Sequence, residues 1–310
     1  MPNCLICYTD AGDKEFHEKC AKRFFKTTTM PELELDKKLL KHLAEETINK
    51  RIAITGVQPK LSLTLEKNGG TDTRLTIVGL WGEFILKPQH DKISFMPETE
   101  DLTMHLASWF GIDVCDHTLL RASDGSLVYI AKRFDRKKDK KIHMEDFCQL
   151  SEFLTENKYI GSYEKAGKLI IKYCTNSGID ALKYFELLLF SYLTGNNDMH
   201  LKNFSVLHLE KKIALSPAYD LINVNLIHPK DKEEMALMLS GKKSNIRLID
   251  FEALGKLLEI PEKVRQSCYK KYSSANKPVH DLIMSSFLTG ENKSMYWQIW
   301  QKKQAIFLNK

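Results

Sequence analysis

The most constraining feature of this chain is an apolar helix that ends at a glycine and passes directly into a string of polar side chains and a short β excursion. Ala181 to Thr194 is rich in apolar residues at helical spacing, and Gly195-Asn196 supplies the residues that stop a helix in the left-handed conformation. There follow Asn196-Asn-Asp-Met-His-Leu-Lys-Asn203, a strand-like Phe204 to Leu209, a polar Glu210-Lys211-Lys212 turn and Ile213 to Leu215. This pattern predicts a hairpin. A strand going out and one returning with similar length place the residue before the first and the residues after the second at one end. Asn203 and Asp220 therefore converge there, with Asp198 on the adjoining loop.

Two oxygen-bearing side chains at a hairpin mouth suit a hard cation, and magnesium carrying nucleotide phosphates is the cation such a set takes. Asp198 precedes Asn203 by five residues, so its carboxylate can face an incoming hydroxyl while the amide oxygen holds the metal. His200 and Lys202 are placed to neutralise or hydrogen-bond a transferred group. Taken alone, an Asp-x-His-x-Lys-Asn string also occurs in loops without chemistry. Its hairpin context and Asp220 are what give it weight.

The N-terminal half reads as strands. Leu61 to Leu65, Arg74 to Val78 and Gly82 to Lys87 predict an antiparallel sheet, with Arg51 to Thr55 before them, and Leu127 to Phe134 returns to strand. Helices are expected over Leu35 to Asn49 and Pro97 to Phe110, the second closed by Gly111. Beyond about Met144 the chain reads as helical, with Glu164 to Cys174 another clear case. The expected fold is therefore α+β in two lobes, a mixed β-rich N-lobe over 31–143 and an α-helical C-lobe over 144–310, behind a Cys-rich segment over 1–30. Lys87, ending an apolar strand, stands where an ATP phosphate clamp is needed, and otherwise is a strand-end lysine. Glu100 can pair with it, or can serve only as an anion in a first helical turn. Gly56, Val57 and Gln58, in the turn after Thr55, can lay backbone N–H groups over phosphate.

Cys4, Cys7, His17 and Cys20 have a knuckle spacing that fits one structural zinc ion, with free thiols on a packed hairpin as the alternative. Seven cysteines, three of them in the first twenty residues, do not form a disulfide framework, so Cys115, Cys148, Cys174 and Cys268 are expected as buried thiols. A net charge of +6 is mild and does not make the chain a nucleic-acid binder. The basic run Lys132 to Lys141 is expected as a solvated hairpin tip, and Tyr296, Trp300 and Phe307 as a helix packing face. No stretch is long and apolar enough to cross a bilayer, and Met1 to Cys20 lacks the charged and apolar regions of a secretory signal, so a cytoplasmic location is expected. Delivery into a host cell without a cleavable signal stays open.

Five ordered motifs carry a more specific resemblance. Ile54-Thr55-Gly56-Val57-Gln58-Pro59-Lys60-Leu61-Ser62-Leu63, Ile130-Ala-Lys132-Arg133-Phe134-Asp135-Arg136, Glu145-Asp146-Phe147-Cys148-Gln149, Gly195 to Asn203 and Pro217-Ala-Tyr219-Asp220 resemble the successive motifs of the HipA family of toxin serine/threonine kinases. The resemblance implies a kinase-like fold and ATP with Mg2+ as cofactors. By matching position it implies Asp198 as catalytic base, Asn203 and Asp220 as magnesium ligands, Lys87 on ATP phosphate, and His200 lining the nucleotide site. It places adenine at the backbone of Lys132 to Phe134. It also implies a protein substrate, such as an aminoacyl-tRNA synthetase, whose phosphorylation arrests translation and growth.

Two departures stand out. Full-length HipA carries a further N-terminal subdomain of roughly a hundred residues, so the chain looks more like the short HipT form. That form implies a HipS-like small antitoxin subunit and a HipB-like DNA-binding antitoxin as partners. The second departure is Ala53, where the family commonly has an autophosphorylated serine in the phosphate loop. Either Thr55 has taken over that regulation or the serine was replaced to trap an active form. The rival readings are a lipid or small-molecule kinase of related fold and a pseudokinase scaffold in a repressor complex, and the intact Lys87, Asp198, Asn203 and Asp220 set argues against the scaffold.

Overall fold

The computed structural model describes residues 3–33, 60–67, 73–78, 81–137 and 140–308. Ala53, Thr55, Gly56, Val57 and Gln58, with the strand expected over Arg51 to Thr55 and the helix over Leu35 to Asn49, lie outside the described residues. The chain divides into two compact units: residues 1–102, 115–134 and 284–288 form one, and 103–114, 135–283 and 289–310 the other.

The first unit is built on an antiparallel sheet. Helix α1 (Glu18–Phe25) precedes β1 (Leu61–Lys67), β2 (Thr73–Ile77), β3 (Phe84–Lys87), helix α2 (Met96–Trp109), of which this unit takes the part up to Leu102, β4 (His117–Arg121) and β5 (Leu127–Lys132). The strands lie in the order β2-β1-β3-β5-β4. Alternation along them decides what each face carries. Leu61, Leu63, Leu75, Phe84, Leu86, Leu120, Val128 and Ile130 all point to one side, where they pack with Phe24 and Phe25 of α1. Lys87 and Tyr129, paired in register across β3 and β5, fall on the opposite face. A charged residue beside a core position is thus a consequence of period two. The sheet was legible in the sequence except for β4, a five-residue strand.

The second unit is mainly helical, with small sheets. The hairpin of β6 (Arg136–Lys137) and β7 (Lys140–Lys141) exposes Lys137, Lys140 and Lys141, and its tip lies outside the described residues. After it come β8 (His143–Asp146), α3 (Phe147–Leu150), α4 (Tyr163–Tyr173), α5 (Ser177–Leu193), β9 (Ser205–Leu209), β10 (Lys212–Leu215), α6 (Val224–Ile227), α7 (Leu248–Leu257), α8 (Glu262–Ser273), α9 (Asn276–Ser285) and α10 (Gly290–Leu308). α5 is buried along most of its length. Tyr296, Trp300 and Phe307 do form an inward face of α10, and Trp300 stacks on Phe110 with centroids 5.6 Å apart.

The hairpin expected after Asn203 is present, with Val206 opposite Leu215 and Leu209 opposite Lys212. A third strand, β8, pairs with β9 and sets Asp146 opposite Ser205. Helix does not begin at Met144 as expected. His143-Met-Glu-Asp is too short and polar to announce a strand, and its pairing with β9 overrides local preference. Asp146 then caps α3 in a reciprocal capping box with Gln149.

Candidate active site

The loop from α5 to β9 owes its path to one residue. Gly195 has φ +67°, and a Cβ there would lie 2.8 Å from Asn225 Oδ1 and 3.0 Å from Asn223 Oδ1. Glycine is thus required both by conformation and by space. The turn is tied down by the amide of Asn225, which donates to the Gly195 carbonyl at 3.1 Å, and by Asn223, which caps α6 through Leu226 N at 2.9 Å. Asn197 Nδ2 donates to Asp231 Oδ2 at 3.0 Å and to the Glu233 carbonyl at 2.8 Å. The loop is thereby anchored just ahead of Asp198.

Asn203 closes a one-turn 3-10 helix (Leu201–Asn203) and is buried. Its Nδ2 donates to the Asp198 carbonyl at 2.9 Å, which leaves the amide oxygen as the end able to serve a cation. Asp220 follows the returning strand with φ +56°, an uncommon conformation for a residue with a side chain. The strap before it is fixed: Ser216 N donates to the Ser205 carbonyl at 2.8 Å and Ala218 N to the Asp113 carbonyl at 2.7 Å.

Tyr219 joins the two halves of the site. Its hydroxyl donates to the Lys202 carbonyl at 2.8 Å and lies 2.6 Å from Ser205 Oγ. A carbonyl can only accept and tyrosine has one hydroxyl proton, so Ser205 is the donor in the second contact. Asp220 is thereby latched to the residues flanking Asn203. Asp198 and Asp220 both favour a charged His200, which places the three in one electrostatic neighbourhood. Burial outweighs them and lowers the His200 pKa, which favours the neutral imidazole, and its buried Nδ1 has no partner among the described residues.

Other predicted residues are placed as follows. Lys202 holds its Nζ 2.6 Å from Asp146 Oδ2, in a partly exposed ion pair. In the first unit Lys87 pairs with Glu100, both buried, at 3% and 1% exposure, and the ammonium lies 5.3 Å from the centre of the Tyr129 ring. Lys132 and Arg133 give their amides to the carbonyls of Asp116, at 2.7 Å, and Glu83, at 2.8 Å, and Phe134 is the last residue of the first unit's 115–134 segment. Cys4, Cys7, His17 and Cys20 bring one ligand atom each to within 4.8 Å of all the others. Cys115, Cys148, Cys174 and Cys268 are buried free thiols.

Sequence reasoning missed three participants. Tyr159 donates to Asp198 Oδ1 at 2.5 Å and sets its ring edge-on to His200, 4.9 Å away. Nothing in its local sequence marks it. Asp146 and Tyr219 lay within quoted motifs, but their work as ion-pair partner and latch depends on the β8–β9 and β9–β10 registers.

Asn203 and Asp220 carry the kinds of oxygen that a hard divalent cation takes. A family model for the HipA-like C-terminal domain matches residues 52–279. A Sinorhizobium fredii protein named "Putative kinase Y4dM" is 30% identical over 228 residues, covering 69% of this chain and 55% of that protein. The "Serine/threonine-protein kinase toxin HipA" of Shewanella oneidensis is 27% identical over 197 residues, covering 57% and 44%. The chain thus spans about half the length of the curated relatives it matches. Among solved structures, the Shewanella oneidensis MR-1 toxin–antitoxin complex of HipA, HipB and operator DNA superposes with a TM-score of 0.64 at 20% identity, covering 94% of this chain and 70% of that one. The fold is kinase-like, shared with HipA.

Proposed function

The chain belongs to the HipA-like C-terminal domain family, and from that premise we propose that it is a protein kinase that moves the γ-phosphate of ATP to a serine or threonine hydroxyl. The observation that carries this reading is the latch at Tyr219, which ties Asp220 to the segment bearing Asn203, next to the loop of Asp198.

Asp198 accepts the proton of the attacking hydroxyl and aligns its oxygen. A strong base is not needed, because phosphoryl transfer gains chiefly from alignment and charge compensation. Asn203 and Asp220 hold magnesium, which when bound neutralises charge on the nucleotide phosphates. Neutral His200 offers a hydrogen bond without adding charge. Lys87, held by Glu100, is assigned to ATP phosphate. Lys202 acts at one remove, its ion pair with Asp146 fixing the segment between Asp198 and Asn203.

The finer reading is a toxin of a HipBST-like system acting on a cytosolic protein such as an aminoacyl-tRNA synthetase, and restrained by HipS-like and HipB-like partners. Its support is the motif resemblance together with relatives named as a kinase toxin and as a HipA–HipB complex. No helix among the described residues is long and apolar enough to cross a membrane. The test is radiolabelled ATP with a cytosolic lysate, comparing the chain with Asp198→Asn. The reading expects one labelled protein band carrying phosphoserine or phosphothreonine, lost in the variant. Equal labelling would remove Asp198 from the base role, and label in the lipid or small-molecule fraction alone would replace the acceptor class.

A further inference from the structure

The N-terminal knuckle has no part in phosphoryl transfer, yet its side chains are arranged as a metal site. Cys4 N donates to the Thr9 carbonyl at 2.8 Å and Tyr8 N to the Cys4 carbonyl at 2.9 Å, folding Cys4 and Cys7 into one tight turn. The turn forces Tyr8 into the left-handed region at φ +62°. A tyrosine held there costs free energy that other contacts must offset. His17 stands at the N-cap of α1 and Cys20 in its first turn, so the helix presents both to the Cys4–Cys7 turn.

Distances and tautomer agree on what lies between them. Cys7 Sγ and Cys20 Sγ are 3.4 and 3.8 Å from His17 Nδ1. In a tetrahedron of zinc–sulfur bonds near 2.3 Å and zinc–nitrogen bonds near 2.05 Å, the sulfur–nitrogen edge is about 3.5 Å. His17 Nε2 lies 2.9 Å from the Asp10 carbonyl, which can only accept, so Nε2 carries the proton and a neutral ring leaves its Nδ1 lone pair facing the sulfurs. A backbone carbonyl on the far nitrogen is the usual way a protein orients a metal-bound histidine. The seven cysteines are all free, so no disulfide competes for this set.

We infer that Cys4, Cys7, His17 and Cys20 bind one zinc ion in a closed, four-coordinate structural site that docks the knuckle onto α2. The docking contacts are on the same turn: Tyr8 OH donates to Asp101 Oδ2 at 2.7 Å, and Asp101 Oδ1 pairs with His117 Nδ1 at 2.7 Å. The Leu5 carbonyl accepts from Thr118 Oγ1 at 3.1 Å. Asp101 adjoins Glu100, the partner of Lys87, so the metal braces the helix that holds that lysine. With four protein ligands no position remains for substrate, and the role is stability rather than chemistry. On binding, the three thiols release their protons to solvent.

The full chain, purified without chelator, is assayed for metal by mass spectrometry and then exchanged with cobalt(II). The expected result is one zinc per chain, and a cobalt form with the visible bands of four-coordinate cobalt and a thiolate charge-transfer band. Cys7→Ser with Cys20→Ser should fall to background metal. His17→Cys should keep one zinc and intensify the cobalt charge-transfer band, a readout that stands even where the double serine variant fails to fold. Wild-type chain with reactive thiols and neither zinc nor cobalt uptake would overturn the inference. So would an octahedral cobalt spectrum, or metal content unchanged in the double variant.

Discussion

Replacing Tyr219 with phenylalanine removes one oxygen and tests whether the latch matters. The hydroxyl donates to the Lys202 carbonyl at 2.8 Å and accepts from Ser205 Oγ at 2.6 Å, and Ser205 is fully buried. A typical hydrogen bond nets about 0.5–1.5 kcal/mol, and a buried group left without its partner costs about 1–3 kcal/mol. Ser205 can turn its proton elsewhere and the Lys202 carbonyl is only partly buried, so the variant should lose about 2 kcal/mol of stability, near the middle of that range. The ring stays and packing is kept. If even half of that loss appears as spread between Asn203 and Asp220, the magnesium needed for half-maximal transfer should rise about fivefold. Urea unfolding reads the first quantity, and transfer rate against magnesium concentration at saturating ATP reads the second. Excess magnesium should restore most of the rate. A stability loss of the expected size with an unchanged magnesium requirement would refute the claim that the latch sets the metal site.

Further outcomes follow from the same contacts. Tyr159→Phe frees an Asp198 oxygen from a competing donor, and steady-state kcat/KM for a protein acceptor should rise about two- to tenfold for a net bond of 0.5–1.5 kcal/mol; a fall would make Tyr159 an orienting donor. Glu100→Gln removes the carboxylate that faces the buried Lys87 ammonium, and urea unfolding should show a loss of about 3–5 kcal/mol, with weaker ATP binding alongside it. Burial holds the Glu98 carboxyl up at about 7. Its folded pKa lies above the unfolded value, so its contribution is complete below the unfolded pKa and is lost as pH rises through the folded one. Glu98→Gln should therefore flatten that part of the stability–pH curve and gain up to about 3 kcal/mol at pH 8, measured by urea unfolding across pH; an unchanged slope would contradict it.

Legibility from sequence followed the range over which each feature is determined. The Gly195 stop, the β9–β10 hairpin and the strand that ends at Lys87 are set by neighbours a few residues apart, and all were readable. Strand β8 was not, because His143-Met-Glu-Asp acquires its conformation only from pairing with β9. The same cause hid the partner of Lys202: Asp146 lies 56 residues earlier and is brought near by that pairing. Tyr159 reaches Asp198 across 39 residues, a contact no local pattern encodes. The Cys-His knuckle was legible as a spacing, while the tautomer that favours a metal ligand needed the Asp10 carbonyl in place.

The most direct test of the central claim uses manganese as a paramagnetic stand-in for magnesium, with a non-hydrolysable ATP analogue, followed by electron paramagnetic resonance. Wild-type chain should hold the manganese–nucleotide complex and broaden the free-ion signal away, while Asp220→Asn combined with Asn203→Ala should leave that signal at its protein-free intensity. Retention of the bound spectrum in the double variant would show that the metal sits elsewhere, and the proposed assignment of Asn203 and Asp220 would be wrong.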